Sequence, residues 1–116
     1  MQILMIIQEG PYGSEKPFQA LRMAHALLKM EDDLDLTVYL TADGVMCARK
    51  GQETPDGYYN VERMLKPVLR KGTVMVCRRC SEARGLRDED IIEGVRKVRL
   101  AEPATLVLEA DKVLTY

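Results

Sequence analysis

The sequence predicts an α/β fold: a five-stranded, mainly parallel sheet flanked by helices on both faces, in one domain spanning residues 1–116. Three observations carry this. Strand-length apolar runs alternate along the chain with apolar residues at helical spacing, the pattern of a parallel sheet covered on both sides. The first run, Ile3 to Ile7, is continuously apolar, as a strand buried on both faces requires. A length of 116 residues suits one compact domain and is too short for two ordinary ones.

The elements follow in order. After the Ile3–Ile7 strand, Gln8 to Gly13 is a turn-rich loop. Ser14, with Pro17 three residues on, marks a helix start, with Ser14 or a near neighbour as cap. Phe18, Leu21, Ala24, His25 and Leu28 carry that helix to about Met30. Leu34, Leu36, Val38 and Leu40 alternate as a second strand. Val45, Met46 and Ala48 suit a short helix. Lys50 to Asn60, rich in Gly, Pro and Tyr, is a long loop with a functional or interfacial use. Val61, Met64, Leu65, Val68 and Leu69 form the next helical stripe, where Pro67 should kink the helix or end it early. Thr73 to Val76 is the third strand, and a short helix should follow Cys80. Asp88 to Ile92 gives a helical turn and Val95 to Val98 a fourth strand. Pro103 opens a last helix, with Leu106, Val107 and Ala110 facing inward. Lys112 to Tyr116 is the fifth strand.

A formal net charge of -1 gives no electrostatic case for nucleic acid or an anionic membrane. No segment approaches the ~18 continuous apolar residues of a membrane span. Met1 to Ile7 lacks the basic region and cleavage site of a signal peptide. Three cysteines, an odd number, do not suggest a disulfide framework, so a reducing, cytoplasmic location is expected.

Two of those cysteines form Cys77-Arg78-Arg79-Cys80, at the end of the third strand. The thiolate is the nucleophile, and cations and helix N-termini lower a thiol's pKa. Parallel sheets place their sites beyond the carboxyl ends of the strands. Three loops should therefore meet there: Gln8 to Ser14, Thr41 to Cys47, and Cys77 to Gly85. Persulfide relay and dithiol–disulfide exchange both fit the motif. Structural zinc does not, because four ligands are needed and Cys47 and His25 supply no second pair at matching spacing. Burial as packed small hydrophobes is the bland alternative. Thioredoxin-type exchange is disfavoured, since that fold usually places an aromatic before its motif and Gly-Pro within it. Gly10, Gly13 and Gly44 lack the dinucleotide-binding spacing, and no cofactor is implied.

Four segments together resemble the DsrE/DsrF-like family, most closely its small YchN-type members. They are Gly10 to Glu15; Ala42 to Val45 with Gly51-Gln52; Cys77 and Cys80 with Arg84-Gly85-Leu86; and Glu109 to Leu114. They occur in order along nearly the whole chain, as one DsrE/DsrF-like domain. The resemblance implies a homo-oligomer, a trimer or a hexamer, with sulfur donor and acceptor proteins as partners. It also implies a persulfide-carrying cysteine near a subunit interface. Counting back from Gly85, Cys77 takes that position, and Cys80 is an additional thiol of the YchN-like pattern. Beside sulfur relay and a dithiol–disulfide module stands a third reading, an oligomeric binding or scaffold protein without relay activity.

Arg78, Arg79 and Arg84 are candidates for binding a donor or stabilising the thiolate, and Arg87 reads as a solvated charge. Tyr12 is a candidate cover for the thiol. Ser14 lies on the same edge, where capping a helix is its simpler role. Cys47 reads as a packed residue and His25 as a core-edge residue. Tyr58 and Tyr59 suit a subunit interface. The methionines read as core filler.

Overall fold

Side-chain alternation decides which way each strand faces, and here it divides the core in two. In the computed structural model, which describes residues 1–116, the strands are β1 (Gln2–Ile7), β2 (Asp35–Leu40), β3 (Thr73–Cys77), β4 (Arg96–Val98) and β5 (Lys112–Thr115). Ile3, Met5 and Ile7 of β1, Leu36, Val38 and Leu40 of β2, and Val74 and Val76 of β3 point to one side. They pack there with α1 (Lys16–Met30) and α2 (Val61–Lys71) through Leu21, Ala24, Leu65 and Val68. The intervening residues Leu4, Tyr39, Met75 and Val98 make a smaller cluster on the other side. Leu106 of α4 (Ala101–Glu109) and Ala110, which caps that helix, pack against it.

The sheet order is β4-β3-β2-β1-β5, and all four pairings are parallel. The chain steps outward from β1 to β4 and then returns across the opposite face to place β5 beside β1. The loop after β3 leads to α3 (Arg78–Ala83), on the α1/α2 side, where Leu86 joins the main core. The loop after β4 leads to α4 on the other side. The winding direction therefore reverses between neighbouring strands β3 and β4, the place where sheets of this kind open a crevice.

Several local expectations change. The cap of α1 is Glu15, with no side-chain cap bond, although Ser14 Oγ accepts from the Lys16 N–H at 3.1 Å. Helix α3 begins at Arg78, so Cys80 lies in its first turn and not before it. Pro67 does not end α2, which runs on to Lys71. A proline withdraws one donor, here the one that would serve Arg63. On the neighbouring carbonyl, His25 Nε2–H donates to Met64 at 2.7 Å, tying α1 to α2 at the proline turn. Val107 faces outward, unlike Leu106 and Ala110.

Residues Ala42–Ala48 form a 3-10 segment after β2. Its Gly44 crosses the end of β1 so closely that a Cβ would lie 2.2 Å from the Ile7 carbonyl oxygen. This contact sets the middle loop directly on the sheet edge. No helix is long and apolar enough to cross a membrane.

Candidate functional site

Cys77 is the last residue of β3 and the N-cap of α3. Its backbone is extended, and its side chain turns back over the first helical turn. The Cys80 N–H donates to Cys77 Sγ at 3.4 Å. Buried Ser81 fixes the turn by donating its hydroxyl to the Cys77 carbonyl at 2.7 Å. Across the sheet, Cys77 is in register with Val98 of β4. Tyr39 of β2 pairs with Met75, two residues back on the same face, so its ring can reach forward to the sulfur.

Partial burial pushes the Cys77 thiol up, but hydrogen bonds to its sulfur outweigh that and hold it below the ordinary value. The donors are the backbone and side chain of Cys80, the Tyr39 hydroxyl and the Arg79 N–H. The guanidinium charges of Arg78 and Arg79, which the motif suggested as the cause, are not among them. Tyr39 is itself pushed up to about 12, chiefly by burial, so near neutral pH its hydroxyl keeps the proton it donates.

Cys80 occupies a different niche. Its Sγ accepts from the Ala42 N–H at 3.3 Å and lies 3.6 Å from Thr41 Oγ1. Ala42 adopts a left-handed φ of 51°, an unfavourable conformation for a residue with a Cβ, and that turn aims its N–H at the sulfur. Cys47 is fully buried and lies 3.8 Å from the Glu9 carbonyl. Burial pushes its thiol up to about 12, which makes it inert as a nucleophile at neutral pH.

The three loops expected at this edge do meet. Arg84 clamps two of them: its Nε and Nη2 donate to Asp43 Oδ1 at 2.9 and 2.8 Å, and its Nη1 donates to the Cys80 carbonyl at 3.0 Å. Arg84 is thus occupied within the protein. Tyr12 and Ser14 line a separate groove with Asp43 and Gln52, away from Cys77. The Tyr12 hydroxyl accepts from the Val61 N–H at 3.1 Å and donates to Gln52. Its ring stacks on Tyr59, which stacks in turn on Phe18 and Tyr58.

Cys77 opens instead into a cavity of about 780 Å³ shared with Arg78, Arg79, Tyr39, Thr41, Val98, Arg99 and Leu100. Of the expected site residues, the structure gathers Cys77, Arg78 and Arg79 here. Tyr39, Thr41 and Arg99 were missed. The available signal was position: Val98-Arg99-Leu100 lies at the carboxyl end of the fourth strand, but only the sheet order shows that this end adjoins the third.

Fold and site together define a class: a parallel α/β domain with a thiol pair at the carboxyl edge of its sheet. The model of the DsrE/DsrF-like family matches residues 1–116, and the chain belongs to that family. It is 40% identical over 118 aligned positions to Protein YchN of Escherichia coli K12, covering 100% of both chains. An uncharacterized protein of Methanocaldococcus jannaschii is 35% identical, again over 100% of both. The crystal structure of the E. coli YchN protein superposes with a TM-score of 0.92 at 39% identity, over 100% of both chains. A protein of unknown function from Methanobacterium thermoautotrophicum shares the fold, with a TM-score of 0.81 at 14% identity, covering 99% of this chain and 98% of that one.

Proposed function

We propose that the protein is a sulfur-relay carrier that holds sulfane sulfur as a persulfide on Cys77. One observation carries the reading: Cys77 joins a lowered thiol, held by the Cys80 N–H and Tyr39, to an open cavity. Membership of the DsrE/DsrF-like family supports it. The Cys77 thiolate attacks the outer sulfur of a donor persulfide, R–S–SH. The S–S bond breaks, R–S⁻ leaves with its electron pair, and Cys77–S–SH forms. An acceptor thiolate then attacks the outer sulfur and regenerates the Cys77 thiolate. Arg78 and Arg79 flank the cavity and suit binding of the donor better than activation of the thiol.

A second reading rests on Cys80. Its backbone N–H donates to the Cys77 sulfur at 3.4 Å while its own sulfur accepts from the Ala42 N–H at 3.3 Å. A Cys80 thiolate could attack the inner sulfur of the Cys77 persulfide, forming a Cys77–Cys80 disulfide and releasing HS⁻. Without bound sulfur, the same pair would serve dithiol–disulfide exchange.

Mass spectrometry after incubation with a persulfide donor tests the first reading. A ~32 Da adduct, one sulfur atom, is expected on Cys77. Cys77→Ser should abolish it, and uptake by that variant at the wild-type level removes the assignment. Under the dithiol reading the protein instead shows a reversible Cys77–Cys80 disulfide with a midpoint at roughly -120 to -270 mV.

A further inference from the structure

The cavity beside Cys77 contains an imbalance of charge. Arg78, Arg79 and Arg99 line it, against one carboxylate, Glu82. Other cations of the same region are paired: Arg84 with Asp43, Arg96 with Glu102 and Lys97 with Asp88, at 2.8, 2.7 and 3.0 Å. No carboxylate lies within ion-pair distance of Arg78, Arg79 or Arg99. Two of the three follow β3 and the third follows β4, so they face one another across the reversal of winding. That is where open α/β sheets bind ligands.

Part of the lining is an apolar wall. Val98 and Tyr39 are buried at its base, and Leu100 stands at its rim, 71% exposed. A volume of about 780 Å³ lies within the usual range for small-molecule sites. A bare inorganic anion would leave most of this space and the whole apolar wall unused. The combination calls for an organic body with more than one anionic group. Guanidinium groups match carboxylates in planar, paired hydrogen bonds.

We propose that the cavity binds a small organic persulfide bearing carboxylates, and that Arg99 is a specificity-determining residue for it. The carboxylates lie against Arg99 and Arg79, and the outer sulfur of R–S–SH reaches Cys77. Sulfur transfer is the exchange written above, R–S–SH plus Cys77–S⁻ giving R–S⁻ plus Cys77–S–SH, and needs no further oxidant or reductant. The inference rests on Cys77 as sulfur carrier for its chemistry, but not for its binding site.

Two measurements keep these apart. The first compares Cys77 loading by glutathione persulfide, which has two carboxylates, with loading by the persulfide of 2-mercaptoethanol, which has none. Wild-type protein should prefer the carboxylate-bearing donor. Arg99→Gln should lower that preference about tenfold, the size of one lost charge-assisted contact, and Arg99→Lys should restore part of it. An unchanged preference, or loading only from a persulfidated protein, overturns the proposal. The second uses Cys77→Ser protein and S-methylglutathione, which cannot transfer sulfur, with NMR shifts as readout. Saturable binding, weakened by salt and by Arg99→Gln, upholds the site even if no persulfide ever loads. Absence of binding, or binding indifferent to Arg99, overturns it.

Discussion

Cys47, Cys77 and Cys80 are chemically identical residues in three environments, and the contacts of each sulfur decide its use. Cys47 has a buried, unionised thiol. Cys77 has donors arranged around its sulfur that favour the thiolate and hold the thiol below its ordinary value, and Tyr39 is the side-chain donor that no motif announces. Read along the chain, Tyr39 is an aromatic on a strand. Only the pairing of β2 with β3 brings it to the sulfur, which is why the sequence named Cys77 and Cys80 but not Tyr39 or Thr41. Tyr39→Phe keeps the ring and removes the hydroxyl. A lost donor destabilises the thiolate, so the Cys77 pKa should rise. One hydrogen bond of about 1 kcal/mol corresponds to roughly 0.7 pH units. Iodoacetamide labelling of the Cys77 peptide, followed against pH by mass spectrometry, should show that upward displacement of the midpoint. A midpoint that stays put or falls rejects Tyr39 as the donor.

Elements were most legible where apolar spacing was strong and least where a boundary depends on one residue. The strands β1, β2 and β3 and the helices α1 and α2 follow from their apolar residues alone. The start of α3 did not, because cysteine is outside the usual set of capping residues, yet Cys77 caps that helix. The opposite holds for α2, whose cap is the conventional Asn60. Asn60 Oδ1 accepts from the Arg63 N–H at 3.0 Å, and its Nδ2 donates to the Gln52 carbonyl at 3.0 Å. One buried side chain thus both starts α2 and folds the Lys50–Asn60 loop back on it. Gln52 extends the tie: its N–H donates to Glu62 at 2.8 Å and its amide donates to the carbonyls of Cys47 and Arg49 at 2.9 Å. Asn60→Ala should cost about 1–2 kcal/mol, read from urea denaturation. It should also speed proteolysis within the loop. A change below about 0.5 kcal/mol, the level of an ordinary surface substitution, would show that the loop is held elsewhere.

At the scale of the whole molecule the two faces of the sheet are unequal. Helices α1, α2 and α3 lie on one, while α4 alone lies across the other and leaves Leu100, Val107 and Leu108 exposed, Leu108 by 88%. Val107 reads as inward from spacing because a helix with apolar residues on two sides gives no single direction. Such an outer face supports the homo-oligomer proposed from the family resemblance. Light scattering coupled to size exclusion should give the mass of a trimer or a hexamer, and Leu108→Glu should reduce it. A monomeric wild type, or an assembly unmoved by Leu108→Glu, would place α4 outside any contact. The return connection gives this surface a further significance. Arg99 and Leu100 wall the Cys77 cavity and lead directly into α4. The aperture above the sulfur is therefore bounded on one side by the ends of β2 and β3 and on the other by the short link that leads from β4 into α4. Arg99 and Leu100 thus belong both to the wall of the cavity and to the lead-in of α4, so a substitution in this two-residue link bears on the shape of the aperture and on the seating of the helix together.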